Sequence, residues 1–327
     1  MSTKVEVGSA WATVERPENR VSHRIRKGIK WTLAAAAFSV VRSYVRFSPF
    51  SPGKARLFKF SRDYVNFHRF GRIARTTDGP VLQCSSEDLI QSYLLYFGMW
   101  DPHITRYLRD RLRAGDIFVD VGANIGYYAL LGSRLVGAEG RVVAIEASPR
   151  TYMALVENVK RNRAANVRAV NAAAAGSRGT VQIYSGTPDN IGGKSIIPRH
   201  GPAEASVESF PLPDLLGPKE LGRAALIKID VEGAESTVLR GILDCPQMLG
   251  PTTDIIVEMT PDWLSEENSA ERLLAEFRAF GYEAYELRTH SIEEYFKKPA
   301  HSRPRRIGRT IVNQTDVLLT RRSIPAD

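Results

Sequence analysis

Apolar residues along the chain recur with two different periods. From about residue 85 onward, short apolar runs with the length of strands occur at 116–121, 141–146, 167–172, 224–230, 254–259, 281–287 and 315–320. Segments whose apolar residues stand three and four positions apart, as in amphipathic helices, occur at 86–97, 102–113, 125–136, 149–163, 233–243 and 268–279. Because strands that alternate with helices form parallel sheets covered by those helices, the pattern predicts a doubly wound, mostly parallel α/β sheet.

A separate helical pattern precedes this region, at residues 24–47. One stripe of this helix contains Ile25, Ile29, Leu33, Ala36, Val40, Tyr44 and Phe47, and Arg and Lys flank it. Its uncharged stretch, 31–41, is too short to cross a bilayer, which needs about 20 apolar residues. The helix therefore either lies on an anionic membrane surface or a partner, or covers a face of the main domain. Pro49, Pro52 and Gly53 then mark a linker.

The basic charge of the chain lies at its two ends. Residues 1–80 carry 16 Lys and Arg against 5 Asp and Glu, a net charge of +11, and residues 297–327 carry 8 against 2, or +6. The intervening residues 81–296 therefore carry 21 basic and 29 acidic residues, or −8. An acidic central region argues against a nucleic-acid groove there.

Composition and charge together suggest how the chain is divided. We expect a basic N-terminal arm at 1–80, a catalytic domain at 81–320 and a short tail at 321–327. Two cysteines far apart in the sequence, Cys84 and Cys245, argue against a disulfide scaffold and fit a reducing, cytoplasmic location. The alternative is a cytoplasmic protein that associates with a membrane through the arm.

The stretch "IFVDVGANIGYYALL" at 117–131 combines a buried strand, a glycine turn and the start of a helix. Asp120 stands near the end of the strand, at the sheet edge where ligands bind in this fold class. The turn lacks the middle glycine of the dinucleotide fingerprint, because Asn124 occupies that position. A pyrophosphate is therefore disfavoured, whereas a cofactor without phosphates, such as S-adenosylmethionine, needs only a tight backbone and an acidic residue for its ammonium.

The next strand ends in Glu146, which is 26 residues after Asp120. A carboxylate at this position can accept hydrogen bonds from both hydroxyls of a ribose, as expected for an adenosine cofactor. The segment "GGKS" at 192–195 resembles the end of a phosphate-binding loop, but Pro188 stands where that motif requires glycine.

The segment "ALIKIDVEGAE" at 225–235 has the densest set of charged residues. Its apolar strand brings Lys228, Asp230 and Glu232 to the C-terminal sheet edge, and Gly233 lets the chain turn into a helix. Asp230 and Glu232 stand on the same side of an extended backbone. Two carboxylates there can orient a substrate hydroxyl, accept its proton or bind a divalent ion, whereas Glu235 suits the positive end of the following helix.

Several of these segments together resemble the FkbM-type family of S-adenosylmethionine-dependent methyltransferases. The resemblance rests on motifs spread over roughly residues 85–320: "DVGANIG" at 120–126, "GRVVAIEASP" at 140–149, "LVENVKRN" at 155–162, "IKIDVEGAE" at 227–235, "IIVEM" at 255–259 and "TDVLLT" at 315–320. It implies a seven-stranded, Rossmann-like methyltransferase sheet whose last strand is antiparallel. Ala147, where the family usually has Pro, and "LPD" at 212–214, where it often has an acidic pair, are departures.

The resemblance also implies roles for individual residues. The methionine part of S-adenosylmethionine would contact Asp120, Gly122, Asn124 and Gly126. Glu146 would bind its ribose, and Asn171 and Ala173 would lie near its adenine. Asp230 and Glu232 would face the transferred methyl group and the acceptor. The implied reaction is O-methylation of a hydroxyl on a sugar, a lipid-linked glycan or a secondary metabolite.

Three functional alternatives follow from these residues. We expect a methyltransferase in which Asp230, with or without Glu232, accepts the proton of the acceptor hydroxyl or binds a divalent ion that acidifies it. His68, His103 and His200 are alternative bases. A nicotinamide oxidoreductase is disfavoured by the turn. The remaining alternative is a catalytically idle cofactor-binding protein that the arm at 24–47 recruits to a membrane or a partner. The sequence leaves the acceptor and any metal undetermined.

Overall fold

The computed structural model of this chain consists of two compact units, residues 1–68 and residues 69–327. It describes residues 4–7, 10–13, 35–50, 52–67, 71–85, 88–184, 202–287, 292, 295, 304–308 and 310–324. The segment 24–34 of the predicted N-terminal helix, the "GGKS" segment, His68 and His200 lie outside the described residues.

The first unit contains a pair of antiparallel strands and two helices. They are β1 (Lys4–Val7), β2 (Ala10–Thr13), α1 (35–47) and α2 (Lys54–Phe67). In α1 the predicted apolar stripe is exposed, with Val40 69% and Phe47 72% accessible, whereas Phe38 and Val45 on another face are buried. The segment expected as a linker is short, because α2 begins at Lys54 directly after Gly53. Among the described residues, no helix is long and apolar enough to span a membrane.

The second unit begins with an antiparallel hairpin and two helices. These elements are β3 (Gly71–Arg75), β4 (Val81–Ser85), α3 (Leu89–Phe97) and α4 (Pro102–Arg111). The second helix begins at the predicted residue, where Asp101 accepts a hydrogen bond from the Ile104 N–H. The first begins three residues later than predicted, because Asp88 caps it by accepting from the Gln91 N–H. The hairpin was not predicted, and it crosses residue 80, so this unit begins before the predicted domain limit. The division of the chain by function stays a prediction.

Strands and helices then alternate as the sequence predicts. The first half of the central sheet comprises β5 (Ile117–Val121), α5 (Tyr127–Val136), β6 (Arg141–Ile145), α6 (Pro149–Arg161) and β7 (Val167–Val170). A small three-stranded sheet follows, with β8 (Ala173–Ala174), β9 (Gly179–Tyr184) and β10 (Ala203–Phe210), and then the short helices α7 (Leu212–Leu215) and α8 (Pro218–Gly222).

The second half of the central sheet completes the fold. It comprises β11 (Ala224–Ile229), α9 (Glu235–Leu243), β12 (Asp254–Met259), α10 (Ala270–Ala279), β13 (Glu283–Leu287), β14 (Arg305–Arg306) and β15 (Thr315–Thr320). Single turns of 3-10 helix occur at Pro246–Met248, Pro261–Trp263 and Glu266–Asn268.

The strand order of the central sheet is β14-β13-β15-β12-β11-β5-β6-β7. Pairs from β12 through β11, β5 and β6 to β7 are parallel, and β15 is antiparallel to both of its neighbours. The predicted seven-stranded, doubly wound sheet with an antiparallel last strand is thus confirmed, and β14 adds a short eighth strand at one edge. From β5 the chain continues to β6 and β7 on one side, and β11 later pairs with β5 on the other side. The C-terminal ends of β5 and β11 are therefore the switch point of the topology.

The two faces of the sheet pack against different helices. Phe118 of β5 lies under α5, where a Cβ on Gly132 would be 2.4 Å from its ring. Val119 and Val121 face the other side and belong to a core shared with Val238 of α9 and Leu273 of α10. Because side chains alternate along a strand, Asp120 lies on the α5 face together with Phe118.

A buried polar cluster closes the sheet at its N-terminal edge. Asp254, which is 0% exposed, accepts hydrogen bonds from Arg111 Nε at 2.6 Å, Tyr107 Oη at 3.0 Å and Arg322 Nη2 at 2.6 Å. A buried carboxylate with this many donors is fully compensated, so the cluster ties α4, β12 and the C-terminal segment together. It lies at the sheet edge opposite the switch point.

Candidate active site

A cleft lies at the switch point. The ends of the strands around it are tied by main-chain hydrogen bonds. The N–H groups of Gly122 and Ala123 both donate to the Ile145 carbonyl at 2.9 Å, and the Asp230 N–H donates to the Val121 carbonyl at 3.0 Å. The loops that follow β5, β6 and β11 therefore hold a fixed position beside one another.

Gly122 is required by a close approach between the two central strands. Its φ is +81°, and a Cβ at this position would stand 1.7 Å from the carbonyl oxygen of Asp230. Every other residue would carry that Cβ, so only glycine lets the ends of β5 and β11 come this close. The geometry places the turn after β5 directly against the segment with Asp230.

The rest of the turn is shaped by two left-handed residues. Asn124 has a φ of +49°, which asparagine adopts more readily than most residues. Gly126 has a φ of +94° and precedes α5, and a Cβ there would stand 2.6 Å from Leu155 Cδ1 of α6. These residues direct the N-terminus of α5 towards the cleft. The N-cap residue of α5, Gly126, makes no side-chain capping hydrogen bond.

Glu146 lies at the end of β6 and is 8% exposed. Its two carboxylate oxygens accept hydrogen bonds from the N–H groups of Asn124 and Ser148, both at 2.9 Å. A carboxylate offers about four lone-pair positions, more than these two hydrogen bonds use, and it is a suitable group to bind the hydroxyls of a ribose. Asn171 holds this loop from behind, since its Nδ2 donates to the carbonyls of Glu146 and Ala147 at 2.9 Å and 3.0 Å.

Next to Glu146 the cleft wall consists of small and apolar side chains. This wall is formed by Ile145, Ala147, Ala172, Ala173, Ala174 and Ile183. A flat apolar surface beside a carboxylate matches the two ends of a nucleoside, an aromatic base and a sugar with vicinal hydroxyls. The residues present therefore fit the adenosine part of the cofactor that the sequence resemblance implies.

Asp120 is buried behind the turn, 1% exposed, and does not line the cleft. Neither of its carboxylate oxygens has a hydrogen-bond partner among the described residues. Burial raises the pKa of Asp120 to about 6, against the opposing effect of Lys228. Since Asp120 pairs with Lys228 in the parallel register of β5 and β11, the two side chains share one face of the sheet.

Lys228 is a buried cation between carboxylates. Its Nζ donates to Asp230 Oδ2 at 2.9 Å and lies 4.8 Å from the centre of the Tyr128 ring. Burial alone disfavours its charge, but the carboxylates of Asp230 and Asp120 more than offset this and raise the pKa of Lys228. Lys228 is thus held as an ammonium group, and it fixes the Asp230 side chain, which remains 33% exposed towards solvent.

Further carboxylates lie at the same edge of the sheet as Asp230. Oxygens of Asp230, Glu235 and Glu258 lie within 4.8 Å of one another, and Glu258 of β12 is paired with Asp316 of β15. Burial, reinforced by the charge of Asp230, raises the pKa of both Glu232 and Glu258. Burial likewise raises the pKa of Asp316. Carboxyl groups in this setting take up protons near neutral pH, where an isolated Glu is ionised.

Glu232 also has an unusual backbone conformation, with a φ of +54°. A glutamate in the left-handed region is strained by roughly 1 kcal/mol or more, and residues of this kind cluster at functional sites. Glu235, in contrast, accepts hydrogen bonds from the N–H groups of Val231 and Gly233 at 2.9 Å, which supports the helix-start role expected for it.

The structure brings most of the predicted site residues together. The cleft is lined by Gly122, Asn124, Glu146, Ala173, Asp230 and Glu232. Asp120, Gly126 and Asn171 lie behind this lining and act on its shape. Their individual roles stay predictions. His103 lies in the first turn of α4 and is not among the residues that line the cleft.

Other residues of the site were not predicted from the sequence. Glu258 and Asp316 stand on predicted strands, at ends that meet the same sheet edge, so the reasoning applied to Glu146 would have found them. Trp100, Ile90, Leu94 and Tyr128 also line the cleft. Trp100 comes from the connection between α3 and α4, and no spacing in the sequence links that segment to β11.

Comparison with known proteins places this chain in a family. The family model described as "Methyltransferase FkbM domain" matches residues 120–284, about half of the chain. This range contains all predicted cofactor and catalytic residues from Asp120 to Glu232, whereas the alternative bases His68 and His103 lie outside it.

Individual relatives are more distant. The methyltransferase sdnD of Sordaria araneosa is 27% identical over 184 residues, which cover 47% of this chain and 70% of that protein. The hexuronic acid methyltransferase AglP of Haloferax volcanii is 26% identical over 147 residues, covering 45% of this chain and 58% of AglP, less than two thirds of its length. Among solved structures, methyltransferase FkbM from Methylobacillus flagellatus has a TM-score of 0.39 and 13% identity, with 82% of this chain and 60% of that chain covered.

Proposed function

This chain belongs to the FkbM family of S-adenosylmethionine-dependent methyltransferases, and from that membership we propose that it methylates a hydroxyl oxygen of a sugar or glycan-like acceptor. The observation that carries the proposal is the arrangement at the switch point. A nucleoside-type subsite around Glu146 lies in the same cleft as Asp230 and Glu232, which are suited to a hydroxyl.

When bound, S-adenosylmethionine supplies a methyl group activated by a sulfonium sulfur. Glu146 would hold the ribose, the alanine-rich wall the adenine, and the backbone of the turn at Gly122 and Asn124 the amino-acid end. Asp120 lies behind that turn, and its oxygens have no hydrogen-bond partner among the described residues, so it suits the ammonium group of the cofactor through a bridging water molecule.

A hydroxyl must lose its proton as its oxygen takes up the methyl group, so the site needs a hydrogen-bond acceptor and a base. Asp230 accepts a hydrogen bond from the substrate hydroxyl, because Lys228 fixes Asp230 Oδ2 and leaves Oδ1 for that hydroxyl. Glu232 serves as the base, because its pKa is raised towards the working pH, where proton transfer is most effective. Lys228 acts as a positioning residue through Asp230.

Two observations support a carbohydrate acceptor. Trp100 and Tyr128 line the cleft, and the apolar faces of sugar rings pack well on aromatic side chains. The relative AglP is by its name a hexuronic acid methyltransferase. Carboxylates beside aromatic rings suit an acceptor with several hydroxyls better than a purely apolar one.

The test is transfer of labelled methyl groups from S-adenosylmethionine to a panel of hexoses, hexuronic acids and phenolic hydroxyls. We expect transfer to a sugar and at least about a 100-fold lower turnover in Asp230→Asn with unchanged binding of S-adenosylhomocysteine. A catalytically idle protein would bind S-adenosylhomocysteine but transfer to none of the acceptors, and Asp230→Asn would then change nothing.

A further inference from the structure

Exposed apolar side chains are concentrated in the first unit of the chain. Nine large apolar side chains are exposed among the described residues, and five of them lie between residues 40 and 60: Val40 (69%), Tyr44 (38%), Phe47 (72%), Phe50 (70%) and Phe60 (73%). Single exposed apolar residues are ordinary on a protein surface, but a concentration of this kind marks an interaction site.

Three of the five share one face of α1, and a fourth, Phe50, lies in the turn directly after it. Val40, Tyr44 and Phe47 are spaced by four and three residues on α1, so they share one face of that helix. The turn that follows is fixed, because the Ser48 N–H donates to the Tyr44 carbonyl at 3.0 Å and Lys54 Nζ donates to the Ser48 carbonyl at 2.6 Å. Phe50 is held within this turn. We call Val40, Tyr44, Phe47 and Phe50 the aromatic patch.

The surroundings of the aromatic patch are basic. Residues 35–67 have a net charge of +5, with six Lys and Arg against one acidic residue, Asp63. Lys54 is buried in the turn, and the other five are Arg42, Arg46, Arg56, Lys59 and Arg62. The exposed face of α2 continues the same chemistry, with Arg56, Lys59 and Phe60 all exposed.

We propose that the aromatic patch and the basic residues around it dock this protein on the surface of an anionic lipid bilayer. Aromatic side chains flanked by Lys and Arg are suited to the headgroup region, where rings enter the interface and cations remain at the phosphates. Each cationic residue near such a surface adds to the attraction. A second copy of this chain is a poorer occupant, because it would bring a further charge of +5 against the first.

The experiment is flotation of the full-length protein with lipid vesicles at low and high salt. Vesicles of phosphatidylcholine alone are compared with vesicles in which about a third of the lipid is phosphatidylglycerol. We expect binding to the anionic vesicles, weakened by salt, and little binding to the neutral ones. The double variant Phe47→Ala with Phe50→Ala should lower the partition coefficient by at least about tenfold.

A matched control is Phe280→Ala, which removes an exposed phenylalanine (42%) at the end of α10 and should bind vesicles like the unaltered protein. Unchanged far-ultraviolet circular dichroism and thermal unfolding of the full-length protein show that each variant is folded. Sedimentation velocity without lipid is expected to give a monomer. The proposal is overturned if the unaltered protein fails to bind anionic vesicles, if the double variant binds as well, or if a dimer forms that the double variant loses.

Discussion

Gly122→Ala is the substitution whose cost follows most directly from the structure. The added Cβ would stand 1.7 Å from the Asp230 carbonyl oxygen, whereas real contacts of this kind are essentially never below 3.0 Å, so the ends of β5 and β11 must separate by about 1.3 Å. Left-handed backbone at alanine costs about 1–2 kcal/mol, and forced overpacking adds about 1–3 kcal/mol. We therefore expect a loss of about 2–5 kcal/mol in the free energy of unfolding.

Gly115→Ala isolates the steric contribution. Gly115 has a similar φ of +88°, but a Cβ there would meet nothing within 4 Å, so this variant carries the backbone cost alone. Urea unfolding of both variants should show Gly122→Ala to be the less stable by at least about 1 kcal/mol. Displacing Asp230 should also lower turnover by about 100-fold. Equal stability of the two variants would refute the close approach of the strands.

Three further predictions concern the site and its frame. Glu232→Gln should stabilise the protein more at about pH 8 than at about pH 5, because the pKa of Glu232 is raised in the folded state and its ionisation destabilises the protein as the pH rises through that pKa. Thermal unfolding at the two pH values measures this difference. Turnover of the variant should be lower and should no longer rise with pH. Asp254→Ala should cost about 3 kcal/mol in chemical unfolding but leave turnover per folded molecule unchanged, since its cluster lies at the opposite sheet edge. Trp100→Ala should raise the KM for the acceptor with little change in S-adenosylhomocysteine affinity; an unchanged KM would remove Trp100 from the acceptor site.

The sequence predicted the central sheet closely because its middle strands, β5 and β11, are buried on both faces. Asp254–Met259 and Thr315–Thr320, each built around three or more buried apolar residues, also match the predicted bounds. In a parallel sheet, strand ends meet at one edge, so the positions of Glu146 and Asp230 followed from their place after a strand. That strand ends meet at one edge was enough to predict that Glu146 and Asp230 belong to the same site.

Features that depend on contacts distant in sequence were not predictable. The hairpin of Gly71–Arg75 and Val81–Ser85 is stabilised by side chains of α6, since Asn158 and Asn162 hydrogen-bond to the backbone of Gln83 and Val81. The apolar stripe of α1 could not be assigned to core or surface from its period, because periodicity defines a face but not what covers it. Trp100 belongs to the cleft through tertiary packing only.

Calorimetric titration with S-adenosylhomocysteine tests the central claim most directly, which is that the cleft at the ends of β5, β6 and β11 holds the cofactor through Glu146. We expect the unaltered protein to bind this ligand and not NAD, and Glu146→Gln to bind at least about tenfold more weakly, because it loses charge-assisted hydrogen bonds to the ribose. Asp254→Ala serves as the control and should bind like the unaltered protein. Absence of binding, or equal affinity in Glu146→Gln, would contradict the assignment of this cleft.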